Sequence, residues 1–409
     1  MLRLRVLPIQ AVKSMFEKGG KCRVGIPVAA RSLLHDDASV PDQEIAGMDY
    51  VVPDWSSLRT MGIGSETGSH AAVMCNIEPQ NADSFLAPRA VLEVAIKKAH
   101  AEQIDLLVGF ETEVVFLKRE MNDEDYPYHA WSVAPAMSTQ MTEMMDEIIT
   151  ALQDAQIEVL MYHPESADRQ FEIVTGPLPP MAAVDTLYHT RQIIRTIAAR
   201  RGYLATLHPK PYKEQTGSAS HMHFSLSKSA DKQNAFAAGI LNNLKTVVAF
   251  GMPTLASYKR QSVENSWTGG RHICWGLENR ETPLRKVVNG AAERWELRSI
   301  DGTANMYLLL GFVIGMGLRG VRDNLSLPPS VNTNPTKQSS EKRQELGVTE
   351  LLPGTLQEAL EWLDQVNWSQ QEAWLDAAAQ KHSLVKTAEI EYLARMDEDE
   401  QHEWELPRY

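Results

Sequence analysis

Hydrophobic and polar positions change period several times along the chain. In FLAPRAVLEVAIKKAHAEQ (85–103) apolar residues recur at Leu92, Ile96 and Ala99, the spacing of one helix face. LLVGFETEVVFLK (106–118) is dense in β-branched and aromatic residues and reads as a strand, and IEVLMYH and QFEIVTG read as two shorter ones. AAVDTLYHTRQIIRTIAARRG returns to a helical period, with Gly202 placed to end it. SHMHFSLS and ERWELRS alternate as strands; 327–350 is a Pro-, Asn- and Ser-rich loop; from Thr355 the pattern is helical and rich in polar residues. Before residue 60, short apolar runs broken by Gly and Pro suggest a small β-rich unit, and 61–84 reads as an irregular linker. Helices interspersed with strands and hairpin-like pairs predict an α+β fold rather than a regular βαβ alternation.

Several of these strands carry charge where the alternation calls for apolar residues. Successive strand side chains point to opposite faces. In GFETEVVFL that puts Phe110, Thr112, Val114 and Phe116 on one face, and Glu111 and Glu113 together on the other beside Val115 and Leu117. Two carboxylates side by side repel each other unless a cation sits between them, and paired oxygen ligands suit Mg²⁺ or Mn²⁺; a solvated strand face is the plainer reading. HPESADRQFEIV adds Glu165 and Glu172, which alone would pass for surface residues near a turn. SHMHFSLS sets His221, His223 and Ser225 on one face, an arrangement that serves a metal, a phosphate or a satisfied core equally well. ERWELRS sets Arg294, Glu296 and Arg298 on one face, with Arg260, Arg280 and Arg285 nearby in sequence. These arginines form either an anion site or a structural ion-pair ladder.

Composition narrows the classes. The 409 residues carry a formal net charge of -13, which argues against nucleic acid as the main partner but leaves room for a local arginine cluster to bind a small anion. Cys22, Cys75 and Cys274 form no disulfide framework and no CxxC, so a reducing, cytoplasmic compartment is expected. Pro8, Gln10 and Lys13 interrupt the apolar centre that a signal peptide needs. MYLLLGFVIGMGL (306–318) is too short to span a bilayer and is expected to be a buried helix.

Each signal is modest alone, but their order along the chain is specific. ETE, a Glu pair seven residues apart, HPKP, a Gly-containing loop leading to HMH, then SYKR, NR, LR and ERWELR resemble the catalytic domain of glutamine synthetases. DGTANMYLLL and LLPGTLQEALEWL are similar to the segments that follow it. The noncanonical fungal branch of that superfamily is the nearest likeness. The resemblance implies a curved antiparallel sheet with flanking helices over 85–409, preceded by a truncated β-grasp unit (1–60) and a linker (61–84). It implies a ring of subunits, small-molecule acid and amine substrates, and no membrane partner.

By the same resemblance Glu113, Glu165 and Glu172 would hold one Mg²⁺ or Mn²⁺, and Glu111, His221 and Glu296 the other. Arg260 and Arg298 would grip the acid with the Gly217 backbone. Arg280 would steady the transferring phosphoryl group, while His223, Ser225, Arg285 and Arg294 would serve ATP. The implied activity is an ATP-dependent ligase forming a γ-glutamyl amide through an acyl phosphate. Three departures bear on the acceptor. The family's flap glutamate is Ser266 here, with Glu264 and Trp267 beside it; its asparagine before the substrate-binding glycine is Thr216; and the stretch that would supply a neighbour's carboxylate is shortened, leaving Asp36 or Asp37. These losses suggest an altered amine acceptor with Trp267 lining its pocket. The alternative is an inactive oligomeric scaffold or signalling protein that keeps the fold. The six retained ligands oppose that alternative, because clustered carboxylates are costly to hold without a cation.

Overall fold

The computed structural model describes residues 3–17, 21–34, 38, 40, 46–65, 68–79, 87–118, 129–261, 268–290 and 292–409. Asp36, Asp37, Glu264, Ser266 and Trp267 lie outside the described residues. The strands are β1 (Val24–Pro27), β2 (Met48–Pro53), β3 (Arg59–Ser65), β4 (Gly68–Ala72), β5 (Cys75–Glu78), β6 (Asp105–Lys118), β7 (Val159–Pro164), β8 (Gln170–Thr175), β9 (Tyr203–Thr206), β10 (Met222–Lys228), β11 (Trp275–Leu277), β12 (Leu284–Asn289) and β13 (Ala292–Leu297). The helices are α1 (Ile9–Glu17), α2 (Pro88–Ala101), α3 (Thr139–Asp154), α4 (Pro180–Arg200), α5 (Gln233–Asn242), α6 (Leu244–Gly251), α7 (Leu255–Gln261), α8 (Met306–Arg322), α9 (Ser340–Glu345), α10 (Leu356–Asp364), α11 (Asp376–Leu393) and α12 (Glu398–Glu405).

The larger sheet runs β11-β12-β13-β10-β6-β8-β7, with β9 also paired to β6. Apart from the parallel pair β11–β12 its neighbours are antiparallel, so the architecture is the expected α+β. β6 forms its spine because it is long enough to pair with β10 along its first half and with β8 and β9 along its second. One face of the sheet is closed by helices. Phe110 joins α2, α5 and α8 in one apolar core, while Val114 and Phe116 join α3 and α4 in another. α8 is apolar on nearly every side and buried, as its composition predicts. It crosses α5 so closely that a Cβ on Gly239 would fall 2.7 Å from the Gly320 Cα, which leaves room only for glycine. Among the described residues no helix is long and apolar enough to cross a membrane.

The N-terminal region differs from expectation. Residues 61–84 are not irregular throughout: β3 and β4 form a hairpin, and β5 completes a three-stranded sheet in the order β1-β2-β5. The glycine-rich hairpin lacks the alternation of a half-buried strand. Its order comes from packing on α3, where the Thr60 hydroxyl donates to the Asp154 carbonyl at 3.1 Å. Buried Arg89 then ties this region to the rest. Its guanidinium donates to Asp54 and Asn76, each at 2.6 Å, and to Asp185 at 2.8 and 3.2 Å.

Candidate active site

Strand register gathers the charged residues into a band across the sheet. Glu113 on β6 lies directly opposite Glu172 on β8, and Glu172 in turn lies opposite His163 on β7. On the other side of β6 the Glu111 amide donates to the His221 carbonyl at 3.0 Å, which sets the two residues side by side. His223 lies opposite Glu296 on β13, and Glu296 opposite Arg285 on β12. The apolar partners of these residues face the helices, so the same alternation that builds the core exports the acids to one surface.

At one end of the band, Glu165, Glu172 and His163 offer ligand atoms within 4.8 Å of one another. His163 lies 3.3 Å from Glu172 and 3.7 Å from Glu165. Burial, followed by the neighbouring Glu165 charge, pushes Glu113 up to about 8. Burial and Glu172 push Glu165 up to about 7. Burial takes Glu172 to about 7 despite its bond to His163, with Glu111 and Glu113 adding repulsion. His163 rises to about 9, chiefly through its hydrogen bond to Glu172. Protein groups alone therefore leave this acid cluster under-neutralised.

At the other end, the two carboxylate oxygens of Glu111 take His221 Nδ1 and His223 Nε2, each at 2.8 Å. Burial opposes the Glu111 charge, yet those two bonds hold it well below the usual carboxylate range. Burial and the Arg298 charge push His221 down to about 4. The neutral ring donates from Nδ1 and keeps a lone pair on Nε2, which is buried and has no partner among the described residues. Glu296 is fully buried, and Arg298 pulls it down to about 2 against the desolvation of its charge. Arg285 donates to Glu296 at 2.9 Å, and Arg298 also donates to it. Arg294 donates from Nε to His223 Nδ1 at 3.2 Å.

A loop shapes the mouth. The Ala219 amide and the Gln170 side chain both donate to Glu113 at 2.8 Å. Gly217 sits against α7, where an added Cβ would fall 2.4 Å from Arg260 Cγ. Arg260 is buried and reaches the Arg298 carbonyl at 3.5 Å.

A divalent cation fits this donor set. Buried carboxylates held above their ordinary range, and an imidazole lone pair without a partner, are what cation ligands look like when only protein groups surround them. Residues 85–409 match the family model described as glutamine synthetase, catalytic domain. The chain belongs to the glutamine synthetase family. It is 35% identical over 424 residues to Protein fluG of Emericella nidulans, a match covering 100% of this chain and 47% of that protein. That likeness places the chain in the FluG-like branch. It is 30% identical over 244 residues to the γ-glutamylpolyamine synthetase GlnA3 of Streptomyces coelicolor, covering 55% of this chain and 52% of that protein. The chain thus spans about half the length of Protein fluG, and the match to GlnA3 likewise covers about half of that relative. The fold is shared with the solved structure titled "GmaS/ADP complex-Conformation 1", at a TM-score of 0.81 and 23% identity, covering 98% of this chain and 92% of that one.

Set against this glutamine synthetase fold, the six expected ligands Glu111, Glu113, Glu165, Glu172, His221 and Glu296 all lie along the one band. Arg260, Arg285, Arg294, Arg298, Gly217 and His223 border it. Ser225 lies two residues beyond His223 on the same face of β10. Arg280 is the outlier: its side chain is exposed, and its carbonyl accepts from Arg298 at 3.1 Å. Sequence reading missed His163, although the i, i+2 spacing of His163 and Glu165 was a signal for it. It also missed Gln170, which carries no such signal, and Trp131, an exposed indole edge-on to His163 with ring centroids 6.3 Å apart.

Proposed function

We propose that this chain is an ATP-dependent ligase that joins glutamate, or a related acid, to an amine through a γ-glutamyl phosphate. The observation that carries the reading is Glu113 facing Glu172, with Glu165, Glu111, His221 and Glu296 on the same band and buried arginines at its edge. Glu113, Glu165 and Glu172 would hold one divalent cation and Glu111, His221 and Glu296 another; such cations neutralise charge on phosphates and on the acid.

The chain's own groups then have distinct tasks. Arg260 and the loop at Gly217 receive the amino acid, and Arg298 turns its guanidinium toward the band. The γ-carboxylate oxygen attacks the terminal phosphorus of ATP, and ADP leaves with the bridging oxygen's electron pair. Arg280, whose side chain is exposed, Arg285 and Arg294 would offset charge as the phosphoryl group passes. His223 and Ser225 line the nucleotide side. A neutral amine then attacks the acyl carbon, phosphate departs with the C–O electron pair, and the amine loses a proton. We infer an organic amine as acceptor. Ser266 cannot supply the charge of a flap glutamate, Trp267 and Glu264 stand beside it in sequence, and Trp131 offers an aromatic surface at the solvent edge of His163. The name of the GlnA3 relative supports an organic acceptor. A homo-oligomeric ring, cytoplasmic placement and a partial β-grasp N-terminal unit belong to the same reading.

Phosphate release from ATP with L-glutamate, measured across ammonium, monoamines and polyamines, tests the proposal. Amine-dependent release that fails without Mg²⁺ or Mn²⁺ is expected, with an organic amine preferred. Release with ammonium above every organic amine would overturn the acceptor. Cation binding with no release on any pair would favour the scaffold.

A further inference from the structure

Behind the band lies a buried cation that the ligase chemistry leaves unused. Arg191 projects from α4 and is 4% exposed. Its guanidinium donates to the Gly302 carbonyl and to the Ser220 hydroxyl, each at 3.1 Å. Burial pushes its pKa down to about 10, which still leaves it charged at neutral pH, and the fully buried Asp301 carboxylate supplies counter-charge. One end of this bridge is rigid. The Asp301 amide donates to the Gly251 carbonyl at 3.0 Å, and the Asp301 side chain accepts from the Thr303 amide at 2.9 Å. Gly302 is wedged between them: an added Cβ would fall 2.6 Å from the Leu207 Cβ and 2.8 Å from the Leu207 carbonyl oxygen. α4 is itself held by Ile193, Ile194 and Ile197 in the apolar core that it shares with α3.

The other end is the Ser220 hydroxyl, in the loop that serves both halves of the band. That hydroxyl donates in turn to the Glu111 carbonyl at 3.1 Å. The residue before it, Ala219, gives its amide to Glu113, and the residue after it, His221, donates from Nδ1 to the Glu111 carboxylate. Ser220 therefore stands between a contact of one expected cation site and a ligand of the other. A hydroxyl that accepts from a charged guanidinium is a better donor, so the bonds on its two sides reinforce each other. The backbone hold on Ser220 is looser, since its amide reaches the Ile300 carbonyl at 3.4 Å. The side-chain bridge is thus the shorter link between this loop and the fixed segment at 301–303.

We propose that Arg191 is a positioning residue which, through the Ser220 hydroxyl, sets the spacing between the Glu113 and His221 halves of the band. The inference rests on the two-cation reading above, and its test reads cation binding rather than turnover. The full chain is titrated with Mn²⁺ and followed by electron paramagnetic resonance, which counts bound ions and reads their separation from dipolar broadening at saturation. The parent should bind two ions. Ser220→Ala removes one buried oxygen and should weaken both ions about tenfold, the low end of what groups behind metal ligands govern, and alter the broadening. Its Tm in chelator should stay within a few degrees of the parent's. Arg191→Lys keeps the charge but cannot fork to two acceptors, and should lose as much. The double variant should bind no more weakly than either single one, because both break the same bond. A Ser220→Ala chain that binds both ions as the parent does, with unchanged broadening, overturns the proposal even where Arg191→Lys fails to fold. So do weakening of one ion alone and additive losses in the double variant. A parent that binds fewer than two Mn²⁺ sinks the two-cation reading, and this inference with it.

Discussion

Glu113 and Glu172 face each other across the β6–β8 pair, two acids in register on adjacent antiparallel strands. Like charges directly opposite each other destabilise a sheet, so this pairing is a cost that a bound cation removes. Glu113→Gln and Glu172→Gln should therefore leave the cation-free protein at least as stable as the parent, with a rise of about 1–3 °C in Tm. The parent should gain from Mn²⁺ or Mg²⁺, by about 2.7 kcal/mol at a hundredfold excess over Kd, and the variants should lose most of that gain. Thermal melts with chelator and with cation read both effects. Variants less stable than the parent without cation would show that the two carboxylates are not in conflict.

Arg89 is the second pivot, because one guanidinium serves Asp54, Asn76 and Asp185 together. Asp185 is buried and also accepts from the Tyr307 hydroxyl at 2.6 Å. Arg89→Met removes the cation and strands a buried acid, which costs about 3–5 kcal/mol. Asp54 is part-exposed and can turn to water, so Asp54→Asn should cost about 1 kcal/mol or less. Urea unfolding separates the two. Arg89→Lys should recover only part of the loss, since a point charge cannot fork to three acceptors.

The strands that carry the acids, β6, β8 and β13, could be read from the sequence because those acids interrupt an apolar alternation, whereas β12, which brings Arg285 to the band, could not. Glu111 and Glu113 stand out in GFETEVVFL, and Glu296 stands out between Trp295 and Leu297. Which acid faces which could not be read. Register depends on how β6 meets β8 and β10, and a one-residue slip would have turned every acid toward the helices. Gln170 was invisible for the same reason: it matters only because β8 carries it next to the Glu113 carboxylate. Arg191 was hidden differently. It sits in the helical run of α4 among surface-type arginines, yet it is buried and donates to Ser220 and to the Gly302 carbonyl at 3.1 Å each. The β3–β4 hairpin was missed because glycine-rich strands have no hydrophobic signature of their own.

His382 supplies a pH dependence remote from the band. It is buried on α11 against Phe250, ring centroids 4.3 Å apart, and its Nε2–H donates to the Ala249 carbonyl at 2.8 Å. Burial and the nearby Lys386 push it down to about 4, with Glu389 opposing. The folded value lies below the ordinary value of about 6.5, so below that pH the unfolded chain binds a proton that the native chain refuses. The stabilisation is complete above about 6.5 and is lost as pH falls toward about 4, at most roughly 3 kcal/mol over the window. Unfolding free energies of the parent and His382→Gln, measured between pH 4 and 7, should converge as the pH falls. A difference independent of pH would mean that the ring takes up its proton as readily in the native state as in the unfolded chain.

Gly217 tests the route from loop to site. Its absent Cβ leaves a gap filled by Arg260 Cγ and the Pro209 carbonyl; the Ala219 amide of the same loop donates to Glu113, and Gln170 on β8 bridges Glu113 to the Gly217 carbonyl. Gly217→Ala must push Arg260 or the loop away. Overpacking of this kind costs about 1–3 kcal/mol in stability, well short of unfolding a domain of this size. Displacement of a positioning group by about 1 Å costs on the order of a hundredfold in rate. The variant should therefore remain folded, with a Tm only a few degrees lower, and should bind Mn²⁺ within a fewfold of the parent. Its kcat/KM for the acid substrate should drop about a hundredfold, mostly in KM, because Arg260 rather than the cation ligands is displaced. Gly217→Ser should behave alike, since the first added carbon already makes the clash. A variant with unchanged KM for the acid would remove Arg260 from the substrate's contacts.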